Sequence, residues 1–497
     1  MTRTYFLIFL HFLVCIVVFT LEPYVLGENV IPYGLIGVSL CITVVLTARL
    51  FMKYPTERLN PFTLLSCIYS IQFSLSLYLI KYHELVSRNE LMRHYNNIDE
   101  SNLMNALKYT YVFSFIVLSF AFVFARSGLW ARILRLMNME LLKKGKLLSF
   151  FTYSITLLEF MLIVTGKVTL QGESLLGKDM ENIEVNPLVA IVNPIACLAV
   201  FLSAYLFSRS KDKKLILLLI IQFIWFFLWG RRQIVFFAFL AFVGFYYNTA
   251  ILLNRLTKEG FRKILLAAIL FVIVTTAAQF YQQLRTIGGV AVLQNVTITS
   301  LQKVLKLYWA SDNSELRRAS EYNIEIRALS TVAAVAHYDK LLEAGGVKQG
   351  DGLEIYNNLL KATPSNYFVN KASVPVMEAL ASELTGGKIR SNRDLGGSLI
   401  LESMIDYGRM GVIVYPVFIA IMIITFYWLL LKIGNSFAMF WFAIALVYAI
   451  LSMLEGSLGD MFLAMRSTLL VVAILTLLQL VRILFLTSRI SLAKDAV

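Results

Sequence analysis

The stretch Leu215–Tyr247, LILLLIIQFIWFFLWGRRQIVFFAFLAFVGFYY, decides the fold. Two apolar runs flank the charged turn Gly230-Arg231-Arg232-Gln233. Backbone in lipid must satisfy its own polar groups, so such runs read as membrane-crossing helices of roughly 20 residues. The spacing predicts crossings over 214–230 and 234–253, joined by a minimal turn that delivers two guanidiniums to one membrane surface.

Working outward, apolar runs recur at 4–22, 31–51, 62–81, 108–126, 147–166, 187–207, 264–281, 410–432, 436–455 and 466–487. With the quoted pair they make about twelve spans. Residues 282–409 break the series, because they hold no run able to cross a membrane. The expectation is an all-α polytopic membrane protein in three parts. A transmembrane bundle fills 1–281, a large and mainly helical extramembrane loop fills 282–409, and a second bundle fills 410–497. Composition agrees, with 58% hydrophobic and 15% charged residues and a mean hydropathy of +0.72. Soluble domains carry about a quarter charged residues. A loop of this size can fold as a small domain, and its presence favours chemistry at the membrane surface.

Lys and Arg in short connections mark the cytoplasmic side. The connections holding Arg49, Lys53 and Arg58, then Arg126–Lys146, Arg209–Lys214 and Arg255–Lys263, are the basic ones. They alternate with acidic or mixed connections such as Leu21–Asn29 and Gly166–Asn186. Both termini are therefore expected inside and the long loop outside. The net charge of +14 then needs no nucleic acid, since the excess orients the chain and meets anionic lipid. Trp130–Lys146 reads as an amphipathic helix in the inner interface. Cys15, Cys41, Cys67 and Cys197 all lie in apolar runs, which gives neither a disulfide framework nor metal-ligand spacing.

Several segments bring arginine to the external boundary: Arg231 and Arg232 in the quoted turn, Arg285, Arg390 and Arg393, Arg409, and Arg466. Each suits lipid headgroups. Together they suit a shared anionic ligand, because guanidinium offers a fixed fork of donors to phosphate oxygens. Glu159, mid-span, either pairs with one of these arginines or faces a water-filled cavity. Within the loop, Leu301–Tyr338 has helical spacing, and its charges suit a solvated face. Near its end lies His337, a general-base candidate by its pKa range, although a lone histidine is more often incidental. Gly345–Gly352 is glycine-rich but lacks phosphate-loop spacing.

The chain contains no D-x-D, H-E-x-x-H, G-x-S-x-G or P-loop motif. Neither a metal nor a cofactor is indicated. Outside the membrane there is no ATP, so a substrate must arrive already activated, as a lipid diphosphate sugar does.

The loop exit is the most specific stretch: Gly396-Gly397-Ser398-Leu399-Ile400-Leu401-Glu402-Ser403-Met404-Ile405-Asp406-Tyr407-Gly408-Arg409-Met410-Gly411. It resembles the G-x-S, Glu, aromatic-Gly-x-x-Gly pattern of the Wzy-type O-antigen polymerases. Gly230-Arg231-Arg232 is similar to that family's Gly/Ser-Arg turn, and the layout of spans and loop resembles it across most of the chain. The Arg-x10-Gly loop pattern of some members is missing, so loop residues do not transfer through it. The resemblance implies a GT-C-like, metal-independent, inverting glycosyltransferase of the bacterial inner membrane. It would join undecaprenyl-diphosphate-linked oligosaccharide repeat units into O-antigen polysaccharide at the periplasmic leaflet, for lipopolysaccharide biosynthesis. Its partners would be those lipid-linked oligosaccharides, membrane lipids and a chain-length regulator. Arg231, Arg232, Arg285 and Arg409 would neutralise the leaving diphosphate, with Arg390, Arg393, Arg466, Tyr407 and Glu159 as further substrate-binding candidates. Glu402 or His337 would orient or deprotonate the acceptor hydroxyl. Glu402 has a second reading, as a tie for Arg409 or a loop amide. Two rivals stay open: an O-antigen ligase, which shares span count and external arginines, and a flippase or transporter, which calls for charges deep in several spans.

Overall fold

A computed structural model describes residues 60–82, 98, 100–130, 132–133, 145–165, 187–229, 231–246, 262, 265, 269, 329, 331–345, 347–363, 373–375, 377–388, 398–452 and 457–494. Every regular element among them is helical. In chain order these are α1 (Pro61–Tyr82), α2 (Glu100–Arg126), α3 (Gly145–Val164), α4 (Pro187–Ser210), α5 (Lys214–Trp229) and α6 (Arg231–Tyr246). The loop supplies α7 (331–343), α8 (Leu353–Ala362), α9 (Met377–Leu384) and α10 (Leu399–Tyr407). A 3-10 turn, Gly408–Met410, leads into α11 (Gly411–Ile433), followed by α12 (Ser436–Ser452) and α13 (Leu458–Lys494).

Nine helices therefore lie on expected spans, and α13 starts eight residues before its expected position at 466. Among the described residues three stretches are long and apolar enough to cross a membrane by themselves: Ser101–Phe124, Leu399–Ile433 and Leu458–Leu477. The expected spans 4–22, 31–51 and 264–281 fall outside the described residues, apart from isolated positions in the last. The Leu399–Ile433 stretch has 35 residues, about 52 Å as one helix, against a hydrocarbon core of about 30 Å. Gly408, with φ +57°, breaks it. The 23-residue α11 matches the membrane by itself, and α10 is a separate helix packed against its start.

The helices pack in two groups. In one, α4 is central and contacts α3, α5 and α6. Gly244 lets α6 touch α4, since a Cβ there would sit 2.4 Å from the Phe201 carbonyl oxygen. In the other, α1, α2, α11 and α12 surround a buried aromatic cluster of Trp130, Phe124, Tyr427 and Phe442. Small polar residues bring α1 and α2 close, with Ser114 Oγ 3.2 Å from both Ser66 Oγ and Ser70 Oγ. The helix α3 shows the inside-out pattern of a membrane span. Phe150, Leu157, Met161 and Val164 face outward, while Leu148, Thr152, Thr156, Glu159 and Leu162 face inward.

The helices of residues 331–407 pack on these groups. Both α10 and α13 contact α8, and α10 also touches α2. The serine of the exit motif, Ser398, is the N-cap of α10 and accepts from the Leu401 amide at 3.2 Å.

Candidate functional site

The junction of α7, α8, α10, α11 and α13 gathers most of the sequence-nominated residues that the structure describes. Its keystone is Asp406, which the sequence reading did not nominate. Helix α8 begins at Gly352, whose φ of +90° and missing side chain leave the first amides uncapped locally. Asp406 takes over from more than 50 residues further along the chain. Its Oδ1 accepts from the Glu354 amide at 2.8 Å, and its Oδ2 accepts from the Ile355 amide at 3.2 Å and from the Tyr415 hydroxyl at 2.7 Å. A carboxylate at a helix N-terminus also meets the positive end of the dipole. The backbone adds two bonds, Gly350 N to Ile405 O and Asp351 N to Asp406 O, both 2.9 Å.

These bonds explain the glycine-rich turn. A Cβ at Gly350 would meet Asp406 Oδ1 at 3.0 Å, and one at Gly352 would meet the Tyr407 hydroxyl at 2.8 Å. The turn is a close-fitting seat for the Asp406–Tyr407 segment, which accounts for glycines without any nucleotide. Tyr407 thus packs on the seat and lies edge-on to Tyr415, with ring centroids 6.3 Å apart.

One turn before Asp406, Glu402 is 1% exposed. Its Oε2 accepts from the Leu458 amide, the first of α13, at 2.9 Å, and its Oε1 accepts from Asn358 Nδ2 at 3.4 Å. The same Asn358 nitrogen reaches Glu354 Oε1 at 3.2 Å. Arg409, one of the two ties suggested for Glu402, is not its partner, and the amide it does hold belongs to the start of α13 and not to the loop. Glu402 and Asp406, four residues apart on α10, thus fasten α8 and α13 to the exit helix.

Arg409 is held elsewhere. Its Nε donates to Asp339 Oδ1 at 2.6 Å, and its Nη2 donates to Glu343 Oε1. Asp339 also accepts the Tyr109 hydroxyl from α2 at 3.2 Å. One cation between two carboxylates leaves this cluster with a formal charge of −1, so Arg409 offers an incoming diphosphate little net attraction. His337 is buried on α7. Beside it, burial raises the Tyr338 phenol above its ordinary range, with the Asp406 carboxylate as the second cause. Tyr338 is therefore a neutral hydroxyl at any physiological pH.

Arg466 differs. It is partly buried at the end of α8, where Nη1 donates to the Ala362 carbonyl at 3.2 Å. Its buried Nε has no hydrogen-bond partner among the described residues. No carboxylate among them neutralises this guanidinium. Arg231 and Arg232 open α6, whereas Arg285, Arg390 and Arg393 lie outside the described residues, as do Gly396 and Gly397.

Glu159 is not brought to this junction. It is fully buried between α3 and its neighbours, and neither carboxyl oxygen has a hydrogen-bond partner among the described residues. One turn away Gln222 Nε2 donates to Thr156 Oγ1 at 2.7 Å and to Ser203 Oγ at 3.0 Å. The arginine partner offered as one reading is not seen among the described residues. Among the same residues no group of three or more His, Cys, Asp or Glu side chains is arranged to hold a metal ion.

Compared with known proteins, the chain matches a family model described as O-antigen polysaccharide polymerase Wzy over residues 3–487. Neither a curated protein nor a solved structure matches it.

Proposed function

The chain belongs to the O-antigen polysaccharide polymerase Wzy family, and from that membership we propose a specific reaction for the junction. Family membership makes the protein a glycosyltransferase-type polymerase acting on lipid-linked oligosaccharides, and its apolar helices make it an integral membrane protein. In the proposed reaction both substrates are repeat units on undecaprenyl diphosphate, presented at the periplasmic leaflet of the inner membrane. Both termini of the chain lie on the cytoplasmic side. A hydroxyl of the acceptor repeat attacks the anomeric carbon of the growing donor chain, and a new C–O bond forms with inversion. The bond to the carrier diphosphate breaks, its electron pair leaves on the diphosphate oxygen, and the hydroxyl proton passes to a base. No metal is needed if fixed guanidiniums meet the leaving charge, the largest electrostatic demand of the step.

The observation that carries this reading is Arg466. A guanidinium held partly out of water, with one backbone carbonyl as its described partner and an unpartnered Nε, calls for an anion. Arg231 and Arg232, at the start of α6, are proposed as a second contact to the same diphosphate, with Arg285, Arg390 and Arg393 completing the basic rim. Tyr407 and Glu159 are assigned no contact with substrate in this scheme. A chain-length regulator remains a proposed partner.

Lipopolysaccharide from a strain lacking this chain tests the activity. Core bearing a single repeat, with the ladder gone, supports polymerisation. Bare core with polymer left on its lipid carrier would assign the chain to ligation instead, and an unchanged ladder would remove it from this pathway. At the residue level, Arg466→Ala is expected to lower polymerisation roughly a hundredfold, the usual cost of losing one donor to developing charge. Arg466→Lys keeps the charge but loses the fork and should fall between. Full activity in Arg466→Ala would refute the assignment.

A further inference from the structure

The proposed reaction needs a proton acceptor that reaches a sugar hydroxyl. The two sequence-nominated groups do not open to solvent: Glu402 is committed to Leu458 and Asn358, and His337 is buried. Asp406 has its oxygens filled by two amides and a phenol. A general base must come within hydrogen-bond reach of the proton it takes, which none of these can do in the geometry they hold.

Glu343 can. It ends α7, one turn past Asp339, and its side chain is 50% exposed. A carboxylate at a helix C-terminus opposes the dipole, so its position needs a local reason, and Arg409 supplies one. A chain of hydrogen bonds runs from the interior outward. Tyr109 donates to Asp339, which is 4% exposed, Asp339 accepts from Arg409 Nε, and Arg409 Nη2 donates to Glu343 Oε1. The buried end fixes the exposed end. The Arg409 and Glu343 side chains are 47% and 50% exposed, and Arg409 Nη1, a donor, and Glu343 Oε2, an acceptor, take no part in the bonds of the chain. Asp339 already matches the arginine charge, so the cluster's surplus negative charge sits on Glu343.

We propose that Glu343 is the base that takes the proton of the acceptor hydroxyl, held in place by the Tyr109–Asp339–Arg409 chain. The assignment rests on the polymerase reading above. The hydroxyl O–H bond breaks, the proton goes to Glu343 Oε2, and the oxygen forms its bond to the anomeric carbon. The donor's C–O bond to diphosphate breaks, and the electron pair departs on the diphosphate. Glu343 then returns its proton to bulk water, to which it is open. A carboxylate suffices, because attack on an oxocarbenium-like centre demands little base strength. Arg409 Nη1 orients the acceptor sugar through a neighbouring oxygen, and Asp339 and Tyr109 are positioning residues.

The test uses the full chain in vesicles, supplied with the lipid-diphosphate-linked repeat unit extracted from cells lacking it. Glu343→Gln is expected to lower kcat by about 10²–10⁴-fold, the range for a lost general base, with KM nearly unchanged. Glu343→Asp, which keeps a carboxylate, recovers part of that loss, while the unfolding midpoints of both variants match the parent. Asp339→Asn frees Arg409 and lowers kcat by a smaller factor. A Glu343→Gln variant with parental kcat overturns the proposal. So does a loss that follows a lowered unfolding midpoint or a raised KM, since Glu343 would then be a brace. If the parent chain itself makes no polymer from this substrate, the polymerase reading fails and not the choice of base.

Discussion

Gly411→Ala is expected to prevent the protein from reaching its folded state. A Cβ at residue 411 would lie 1.8 Å from the Ser403 carbonyl oxygen and 2.4 Å from its carbon, both backbone atoms of a buried residue. Contacts below 3.0 Å are essentially never made, so α10 and α11 would have to part by more than an ångström. The parting pulls on the bond from the Tyr415 hydroxyl on α11 to Asp406 on α10, and through Asp406 on the start of α8. Overpacking of this kind costs about 1–3 kcal/mol where side chains can yield and more where backbone must move. Total stability is only about 5–15 kcal/mol. Gly434→Ala is the control. That residue closes α11 at φ +70° with nothing within 4 Å, so alanine there carries only the conformational cost, about 1 kcal/mol. Fluorescence-detected size exclusion of the two variants in detergent should show aggregated or absent Gly411→Ala beside monodisperse Gly434→Ala. Equal profiles would mean that the close approach of α10 and α11 is wrong.

The helices on the apolar runs were legible because lipid imposes one simple code. In LILLLIIQFIWFFLWGRRQIVFFAFLAFVGFYY the only tolerable backbone is helical, and α5 and α6 lie where the apolar runs lie. The close approach at Gly411, which joins α10 to the start of α11, is a backbone contact eight residues apart in the chain. Roles inside the loop were less legible. Glu402 showed itself as an acid beside a membrane entry, yet its partners, Asn358 and the Leu458 amide, lie 44 and 56 residues away. Arg409 looked free for phosphate because Asp339 and Glu343 lie 70 and 66 residues before it. Charge neutralisation is a fact of three dimensions, so counting arginines on one side of a membrane cannot separate Arg409 from Arg466. Two signals were present and unused. A helix that begins Gly-Asp-Gly-Leu-Glu lacks its own capping side chain, which asks for a distant acceptor such as Asp406. An acid closing α7 asks for a cation such as Arg409.

Asp406→Ala is expected to unseat α8 and abolish polymerisation together. The substitution leaves two amides, Glu354 N and Ile355 N, and the Tyr415 hydroxyl without their acceptor, and Glu354 and Tyr415 are buried. Each buried group left unpaired costs about 1–3 kcal/mol, which sums to several kcal/mol against the marginal stability of the whole. The dipole contribution at the head of α8 is lost as well. Because Arg466 is steadied by Ala362 at the other end of α8, a loosened helix also takes away the partner that fixes the proposed diphosphate contact. Asp406→Asn separates these effects. Its amide oxygen can still accept from Glu354 N, and its NH2 can donate to a rotated Tyr415 hydroxyl, but Ile355 N then faces a donor. One lost bond in place of three predicts an intermediate loss of stability. Trypsin makes the local event visible, since Lys348 and Lys361 flank and lie within α8. Cleavage there should be fast in Asp406→Ala, slower in Asp406→Asn and slowest in the parent. Asp351→Ala, which alters an exposed acid in the same turn, should leave the rate near parental. If Asp406→Ala and Asp351→Ala were cleaved alike, Asp406 would not be what holds α8, and the turn before it would be seated by its backbone bonds to Ile405 and Asp406 alone.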